Sequence, residues 1–450
     1  MTRFLPDYAN AAVPRYTSYP TALQFHELDE QTYRRWLRSL RQQERLSVYL
    51  HVPFCQQLCW YCGCATEVSR RSENTEAYAR TLEQEIEMVS ALAAPTGGIG
   101  HLHFGGGTPT QLTPVSFRRL FSILDRSFGF AADAERAVEV DPRRLEPDMA
   151  EAFARSGINR VSLGVQDIDR EVQALINRHQ PLDLVLQTVA RLREVGIERI
   201  SMDMIYGLPG QTAAHVRATA RAIADAGASR VSVFGYAHVP WFRKHQKAID
   251  EARLPGSAER FEQMLAAADE LQSAGYINIG FDHFARPDDG LVIASGRGRL
   301  RRNFQGYTDD QASTLLGFGS SSIGSLPDGY VQNAATSRDW RAMLSEDRLP
   351  VVRGYATTFE DRLRRRFIEE IMCYGALDAA AICRDFGADT RQAEQAFTSL
   401  SPLADDGLVT CDGQALTLQA TETGRLYLRN IAACFDPTHT ARAGRHSRAI

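Results

Sequence analysis

The sequence has no long hydrophobic run, few cysteines and no strong excess of charge of either sign. Among its 450 residues, no apolar stretch reaches the roughly 18 residues that indicate a membrane-spanning helix, and no signal-peptide pattern begins the chain. A formal net charge of −4 excludes a general attraction to nucleic acid or anionic membranes. We therefore expect a cytoplasmic protein with no membrane span and no nucleic-acid partner.

The eight cysteines are few for this length and unevenly placed. Four fall between Cys55 and Cys64, and four are scattered downstream. A disulfide framework is unusual in a large protein without a secretion signal, whereas clustered cysteines in a cytosolic enzyme more often bind metal or do redox chemistry. We interpret the downstream cysteines as core or incidental residues.

From about residue 46 to 285, strand-like and helix-like segments alternate. The predicted strands are 46–53, 101–106, 137–142, 160–166, 199–207 and 230–237, and the helices between them include 75–92, 115–127, 182–194 and 213–226. This alternation predicts an α/β fold with a parallel sheet covered by helices. Six repeats favour a partial (β/α) barrel, closed or open. A complete eight-unit barrel and an open Rossmann-like sheet remain alternatives.

The remaining chain divides into flanking segments. Residues 1–45 form a polar N-terminal extension, and 46–355 hold the barrel together with loops rich in Gly, Arg and Ser. In 356–450, three predicted helices (359–374, 378–386 and 390–403) precede a hairpin that turns at Asp412–Gly413. This pattern predicts a small, mainly helical, winged-helix-like C-terminal domain. A lid or packing role is favoured over DNA binding because the segment has no basic stripe.

Polar residues and glycines lie at the carboxyl ends of the predicted strands. The cysteines follow the first strand, GGGTP ends the second, and Glu139 and Asp141 end the third; Gln166, Asp203, Tyr206, Tyr236 and His238 end the next three. A parallel barrel gathers these ends at one mouth, where active sites form.

Cys55, Cys59 and Cys62 form a CxxxCxxC motif within HVPFCQQLCWYCGC. Zinc sites usually close with four ligands, commonly as two distant pairs, and the sequence has no matching second pair. A cubane iron–sulfur cluster held by three thiolates keeps one iron open for another ligand. The motif therefore predicts a [4Fe–4S] cluster.

The second motif is GGGTPT at 105–110. Its glycines let a ligand approach the backbone. It matches neither a P-loop nor the GxGxxG of a dinucleotide site. Alone this motif is weak evidence for a ligand site, because turns between strands and helices often contain glycine. Its occurrence together with the cysteine motif is far more specific.

Together the two motifs resemble those of the radical S-adenosylmethionine (SAM) superfamily. The surrounding sequence resembles one family within it, the oxygen-independent coproporphyrinogen III oxidases. The matching stretches include PRYTSYPTAL, YLHVPFCQQLCWYCGC, HFGGGTPT, VEVDPR, DMIYGLPGQT, GFDHFARPDD and RNFQGYT, between residues 14 and about 436. Cys64 separates this family from the related haem-binding chaperones, which usually carry an aromatic residue there and lack the N-terminal stretch.

The resemblance implies that Cys55, Cys59 and Cys62 hold the cluster and that its open iron binds SAM. The positions that match SAM contacts are Tyr49, Gly106, Glu139 and Ile323. The family is also associated with a second SAM, at positions matched by Tyr61, Gly107, Thr108, Gln166, Arg178, Asp203 and Ala237. Cys64 is left without an assigned role.

The implied reaction, in haem and porphyrin biosynthesis, is the oxidative decarboxylation of two propionates of coproporphyrinogen III to vinyl groups. An unidentified low-potential electron donor and an electron acceptor would be needed, and we expect a monomer. Arginine forks suit the four substrate carboxylates, with Arg15, Arg286 and Arg302 as candidates. A haem-binding chaperone of the same superfamily and a simple electron-transfer or structural metal protein remain alternative functions.

Overall fold

Six consecutive strand–helix units build the centre of the structure, a computed structural model that describes residues 2–93, 97–439 and 449. The strands are β1 (Leu46–Val52), β2 (Ile99–Gly106), β3 (Phe130–Val140), β4 (Arg160–Gln166), β5 (Arg199–Tyr206) and β6 (Arg230–Gly235). The helices that follow them are α1 (Ser72–Ser90), α2 (Pro114–Phe128), α3 (Pro147–Arg155), α4 (Leu182–Glu194), α5 (Ala213–Asp225) and α6 (Ser257–Ser273). The predicted six-unit α/β architecture is confirmed.

The sheet continues beyond these units into 13 strands. Thr314–Phe318 pairs in parallel with the outer edge of β1 and is followed by antiparallel Ile323–Leu326, Gly329–Asn333, Val351–Ala356 and His26–Glu27. Beyond β6, His283–Ala285 and Ile277–Ile279 are antiparallel. The two edge strands do not pair with each other within the described residues. The barrel is therefore open, and the eight-unit alternative is wrong.

Burial explains why these segments adopt their structures. The strand β1 is buried on both faces, as expected for a parallel strand covered on each side. Helix α1 buries Tyr78, Leu82 and Ile86, one residue per turn on the face that packs toward the sheet. Helix α2 begins with Pro114, and the side chain of Thr113 accepts a hydrogen bond from the Ser116 N–H. The core therefore lies between the sheet and its helices.

Shorter elements complete the outer layer. The remaining helices before residue 356 are Pro6–Ala9, Glu30–Arg38, Arg170–Leu175, Gly290–Gly296 and Ser337–Ser345, with 3₁₀ turns at Ala22–Gln24, Pro109–Gln111, Pro142–Arg144, Lys244–Ala248 and Glu251–Arg253. Two-stranded pairs join Phe54–Cys55 to Glu67–Val68 and Arg301–Asn303 to Gly306–Thr308. None of the described helices is long and apolar enough to cross a membrane.

The C-terminal segment contains helices Phe359–Tyr374, Ala379–Phe386, Arg391–Thr398, Ser401–Asp405 and Leu428–Ala433, with a 3₁₀ turn at Gly424–Tyr427. The predicted hairpin is formed by Val409–Asp412 and Thr417–Ala420, and Ala376–Asp378 adds a third strand. The helix predicted at 390–403 is two helices, because Ser399 and Leu400 interrupt it before Pro402. The domain boundaries 1–45, 46–355 and 356–450 stay predictions, and most of the tail after Asp436 lies outside the described residues.

Candidate active site

A cavity of about 590 Å³ lies at the carboxyl ends of the six parallel strands. Most of the predicted site residues line it, namely Arg15, Cys55, Cys59, Tyr61, Cys62, Gly106, Gly107, Thr108, Glu139, Gln166, Arg178, Asp203 and Ala237. Cys64 lines it as well. Tyr49, Ile323, Arg286 and Arg302 are not among the lining residues.

The cysteine loop is fixed at both ends and along its length. The parallel pair of Phe54–Cys55 with Glu67–Val68 closes its ends. Between them, the Trp60 N–H donates to the Ile176 carbonyl over 3.0 Å, and Gln246 Nε2 donates to the Tyr61 carbonyl over 2.9 Å. These contacts anchor the loop whose three thiols line the cavity.

The three thiols have different surroundings. Burial raises the pKa of the Cys55 thiol to about 11, although the Thr108 hydroxyl, 3.5 Å from Sγ, opposes this. A hydrogen bond with the Cys64 thiol lowers the pKa of Cys62, and the positive charges of Arg243 and Arg178 act in the same direction. All eight cysteines, which lie in the described part of the chain, are free thiols. Cys373 and Cys383 are buried as expected, while Cys411 is exposed.

The donor set suits a polynuclear cluster. The described residues contain no group of three or more His, Cys, Asp or Glu side chains close enough to hold one metal ion. Three thiols instead surround a shared cavity, as a cubane cluster requires. Two guanidinium nitrogens of the cavity wall, Nε of Arg178 and Nε of Arg243, are buried without a hydrogen-bond partner among the described residues. Unpaired buried donors of this kind fit an anionic occupant.

The glycines of GGGTP are required by close packing on both sides. A Cβ atom on Gly106 would lie 2.7 Å from the His51 ring, and its φ of +116° is itself unfavourable for other residues. A Cβ atom on Gly107 would lie 2.6 Å from the Pro53 carbonyl oxygen. Only glycine therefore lets the end of β2 lie against the chain that leads into the cysteine loop.

Glu139 is held at the end of β3 by two donors. Its Oε2 accepts from the Gly106 N–H over 3.1 Å, and its Oε1 lies 3.0 Å from Nε2 of His103. Burial acts to raise the pKa of this carboxyl, but the hydrogen bond and charge of His103 together with the Gly106 N–H bring it below its ordinary value. Glu139 is thus an ionised acceptor facing the cavity.

Tyr49 lies behind this carboxylate. Its ring stacks on His103 with centroids 5.9 Å apart, and its hydroxyl lies 3.0 Å from Nδ1 of His51. Tyr49 is also the strand partner of Gly317, where an added Cβ atom would lie 2.6 Å from the Ile323 carbonyl oxygen. The strand Thr314–Phe318 therefore lies between Tyr49 and Ile323, and neither residue lines the cavity.

Gln166 and Asp203 complete the opposite wall. Gln166 has a φ of +67° and sits at a register shift between β4 and β5, a strained position of the kind found at functional sites. Asp203 Oδ2 accepts from the Ser162 hydroxyl over 3.2 Å. Burial raises the pKa of the Asp203 carboxyl. Gln166 is the last residue of β4, whereas Asp203 lies inside β5, three residues before its end, and both line the cavity.

Of the candidate substrate arginines, the structure brings only Arg15 to the cavity. Its Nη2 donates to the Gly235 carbonyl over 3.3 Å. Arg302 lies behind it and donates to the Arg15 carbonyl over 3.3 Å. Arg286 is at the amino end of β6, where its Nε donates to the Ala228 carbonyl, so it lies at the opposite end of the barrel from the cysteines.

Two cavity residues, Arg143 and Arg243, were missed by the sequence reasoning. Arg143 belongs to the VDPR stretch at the end of β3, so its position after a barrel strand was an available signal. Arg243 lies in the loop after β6, where the sequence has no motif. The histidines His238 and His283 pair with Glu251 and Asp282, respectively, and are satisfied within the protein.

Comparison with known proteins agrees with this geometry. Residues 49–223 match the model of the radical SAM superfamily. An oxygen-independent coproporphyrinogen III oxidase of Bradyrhizobium diazoefficiens is 46% identical over 444 residues, which cover 98% of each chain. The oxygen-independent coproporphyrinogen III oxidase of Escherichia coli K12 is 40% identical over 98% of this chain and 96% of its own length.

The solved structure of the radical SAM enzyme coproporphyrinogen III oxidase from Escherichia coli superposes with a TM-score of 0.90. It is 39% identical and covers 94% of this chain and 98% of that chain. These relatives support the oxidase and not the haem-chaperone alternative. The chain therefore belongs to the oxygen-independent coproporphyrinogen III oxidases, a family of radical SAM enzymes.

Proposed function

We propose that the cavity at the carboxyl ends of β1–β6 is where two propionates of coproporphyrinogen III are oxidatively decarboxylated to vinyl groups, giving protoporphyrinogen IX. The observation that carries this assignment is the convergence of Cys55, Cys59 and Cys62 with Glu139 and Arg15 on one cavity. The three thiols would bind the cluster that generates the radical. The Glu139 carboxylate would bind SAM, and the Arg15 guanidinium group would bind a carboxylate of the substrate.

A [4Fe–4S] cluster and SAM are the cofactors of this family. When bound, they supply a 5′-deoxyadenosyl radical that removes hydrogen from the β-carbon of a propionate, a reaction that belongs to the cofactors. Cys55, Cys59 and Cys62 would hold the cluster. Glu139 would accept hydrogen bonds from SAM beside Gly106, whose missing side chain leaves room for the ligand.

Tyr49 and Ile323 are retained as proposed SAM contacts because both match SAM-contact positions of the family, although neither lines the cavity. A second SAM remains part of the proposal, at Tyr61, Gly107, Thr108, Gln166, Arg178, Asp203 and Ala237. All of these residues line the same cavity, which supports a shared binding space. The stoichiometry of SAM per cluster in anaerobically purified, substrate-bound protein tests it. A firm value of one would contradict the second molecule.

Arg15 would bind a substrate carboxylate through its planar fork. Arg302 is assigned a supporting role, because it holds the Arg15 carbonyl and does not line the cavity. Arg286 stays a low-ranking candidate, since its position at the amino end of β6 offers no contact with the same ligand.

The partners of the reaction are proposed from its chemistry. A low-potential electron donor must reduce the cluster, and an acceptor must take the electron released when the carboxylate leaves. A cytoplasmic location is proposed because eight free thiols favour a reducing compartment. A monomer is proposed as the state that turns over.

The deciding experiment is an anaerobic assay of the reconstituted enzyme with a low-potential reductant, SAM and coproporphyrinogen III. We expect protoporphyrinogen IX and 5′-deoxyadenosine to form together. SAM cleavage without decarboxylation would indicate another radical reaction, and an intact cluster without SAM cleavage would indicate a binding protein.

A further inference from the structure

Cys59 differs from the other two proposed ligands in its surroundings. Two guanidinium groups approach its sulfur: Arg143 Nη2 at 3.6 Å and Arg178 Nη1 at 3.5 Å. Among the described residues, the Thr108 hydroxyl is the hydrogen-bond partner of Cys55 and the Cys64 thiol that of Cys62, so neither of these sulfurs accepts from a guanidinium group. Both cationic donors therefore converge on one corner of the cluster site.

Both arginines are enclosed, so their charges are weakly screened. The side chain of Arg143 is 13% exposed and that of Arg178 is 7% exposed. Cys59 is itself 7% exposed. Charges inside a protein interact more strongly than charges in water, because the surrounding medium is less polarisable. The two guanidinium groups therefore place a substantial positive potential at this sulfur.

Asp141 fixes the position of Arg143. Its Oδ1 accepts from Arg143 Nε over 2.9 Å, and its Oδ2 accepts from Arg143 Nη2 over 2.7 Å. The same Oδ2 lies 3.5 Å from Arg178 Nη1. Burial opposes ionisation of Asp141, but the charges of Arg178 and Arg143 lower its pKa to about 2. One carboxylate therefore faces two guanidinium groups, which leaves one positive charge uncompensated within this trio.

We infer that Arg143, positioned by Asp141, acts with Arg178 to raise the reduction potential of the cluster through hydrogen bonds to the Cys59 sulfur. This inference rests on the proposed role of Cys59 as a cluster ligand. Reduction adds one negative charge to the cluster and its thiolates. Donors and positive charge at a ligating sulfur stabilise the reduced state more than the oxidised state, and hydrogen bonds to the sulfurs are an established control of cluster potential.

The consequence is functional, because the cluster must accept an electron before SAM can be cleaved. In this role Arg143 tunes the cluster through the Cys59 sulfur, and Asp141 positions Arg143. Its neighbour Arg144 lies on the same 3₁₀ turn, Pro142–Arg144, but does not line the cavity. Arg144 thus offers a control with the same change in composition and charge.

The experiment compares Arg143→Met, Arg143→Lys and Arg144→Met with the unmodified holoenzyme. Midpoint potentials are measured by anaerobic dye-mediated titration followed by electron paramagnetic resonance, without SAM or coproporphyrinogen III, and normalised to iron and sulfide. We expect a lower potential for Arg143→Met, a smaller decrease for Arg143→Lys, which keeps the charge but loses the fork, and no shift for Arg144→Met.

An unchanged potential in Arg143→Met with a full cluster would overturn the inference. If Arg143→Met does not assemble a cluster, the inference is tested with Arg143→Lys instead. A cluster potential in Arg143→Lys equal to that of the unmodified enzyme would then overturn the inference. Because the titration contains no substrate, a failed decarboxylation assay would leave its result intact. If a Cys59→Ala variant assembles a cluster of unchanged potential, the ligand assignment itself is wrong.

Discussion

Glu85 of α1 and Asn333 of the antiparallel part of the sheet lie 248 positions apart and are joined by a 2.6 Å hydrogen bond. The same carboxylate accepts from the Gly319 N–H over 2.7 Å and from Trp340 Nε1 over 3.0 Å. Glu85 is fully enclosed, and burial raises its pKa to about 7 despite these donors. One buried acid therefore links α1 to the strands that extend the sheet past β1.

This acid predicts a pH dependence of stability. Between about pH 4.5 and 7, folded Glu85 keeps a proton that the unfolded chain has released, so the free energy of unfolding falls as the pH rises through this window. The full loss, about 3 kcal/mol, is reached above pH 7. Glu85→Gln should remove the part of this slope that Glu85 contributes and so make the profile less steep, as measured by urea unfolding at several pH values.

The control for Glu85→Gln is Glu87→Gln, since Glu87 lies on the same helix but is exposed. This variant should keep the pH profile of the unmodified protein. A Glu85→Gln profile that parallels that of the unmodified protein would show that Glu85 does not titrate in this window.

Gly107→Ala should destabilise the protein by about 1–3 kcal/mol, the usual cost of overpacking, because its Cβ would meet the carbonyl groups of Pro53 and Phe54. Gly63→Ala is the matched control in the cysteine loop, where nothing lies within 4 Å of the new Cβ. Urea unfolding should report the difference. Equal stability of the two variants would show that the backbone at Gly107 can yield.

Serine at any of Cys55, Cys59 or Cys62 should abolish the cluster and the activity, because a hydroxyl is a poor substitute for a thiolate ligand. Iron, sulfide and visible absorbance after anaerobic reconstitution measure this. Cys411→Ser changes an exposed cysteine that does not line the cavity and should retain a full cluster. Normal iron content in a triad variant would contradict the ligand set.

Arg15→Gln should raise the KM for coproporphyrinogen III by about 10- to 100-fold, because a charge-assisted hydrogen bond is worth roughly 1.5–3 kcal/mol. Cluster content should be unaffected, since Arg15 does not contact the thiols in this structure. Arg41→Gln, at an exposed position outside the cavity, is the control. An unchanged KM in Arg15→Gln would remove Arg15 from the substrate site.

The unit order of the barrel and the location of the site followed from local patterns. The alternation of strand and helix segments predicted all six units, because burial against a common core imposes these periodicities on the sequence. The carboxyl ends of parallel strands must share one edge, so the sequence also predicted that the cysteines, Glu139, Gln166 and Asp203 meet there. The cysteine loop could be identified from the sequence because its three proposed ligands are only three or four positions apart.

The position of Arg15 depended on contacts from distant parts of the chain. Arg429 Nε donates to the Pro14 carbonyl over 3.0 Å, and Arg302 donates to the next carbonyl. These contacts place the Arg15 side chain beside Gly235. The relation between residues 15, 302 and 429 has no local signature in the sequence.

What the sequence determined by itself is the architecture of repeated β/α units and the chemistry of the cysteine loop, because both depend on residues close together in the chain. Only the tertiary structure decided that the barrel is open, that Arg286 lies at the end of the barrel opposite the cysteines, and that Arg143 contacts Cys59. These outcomes depend on strand pairing and side-chain approach between residues 84 to more than 300 positions apart, such as Arg143 with Cys59 and His26 with Gly354. Register and packing of the whole chain set such distances, and local periodicity carries no information about them.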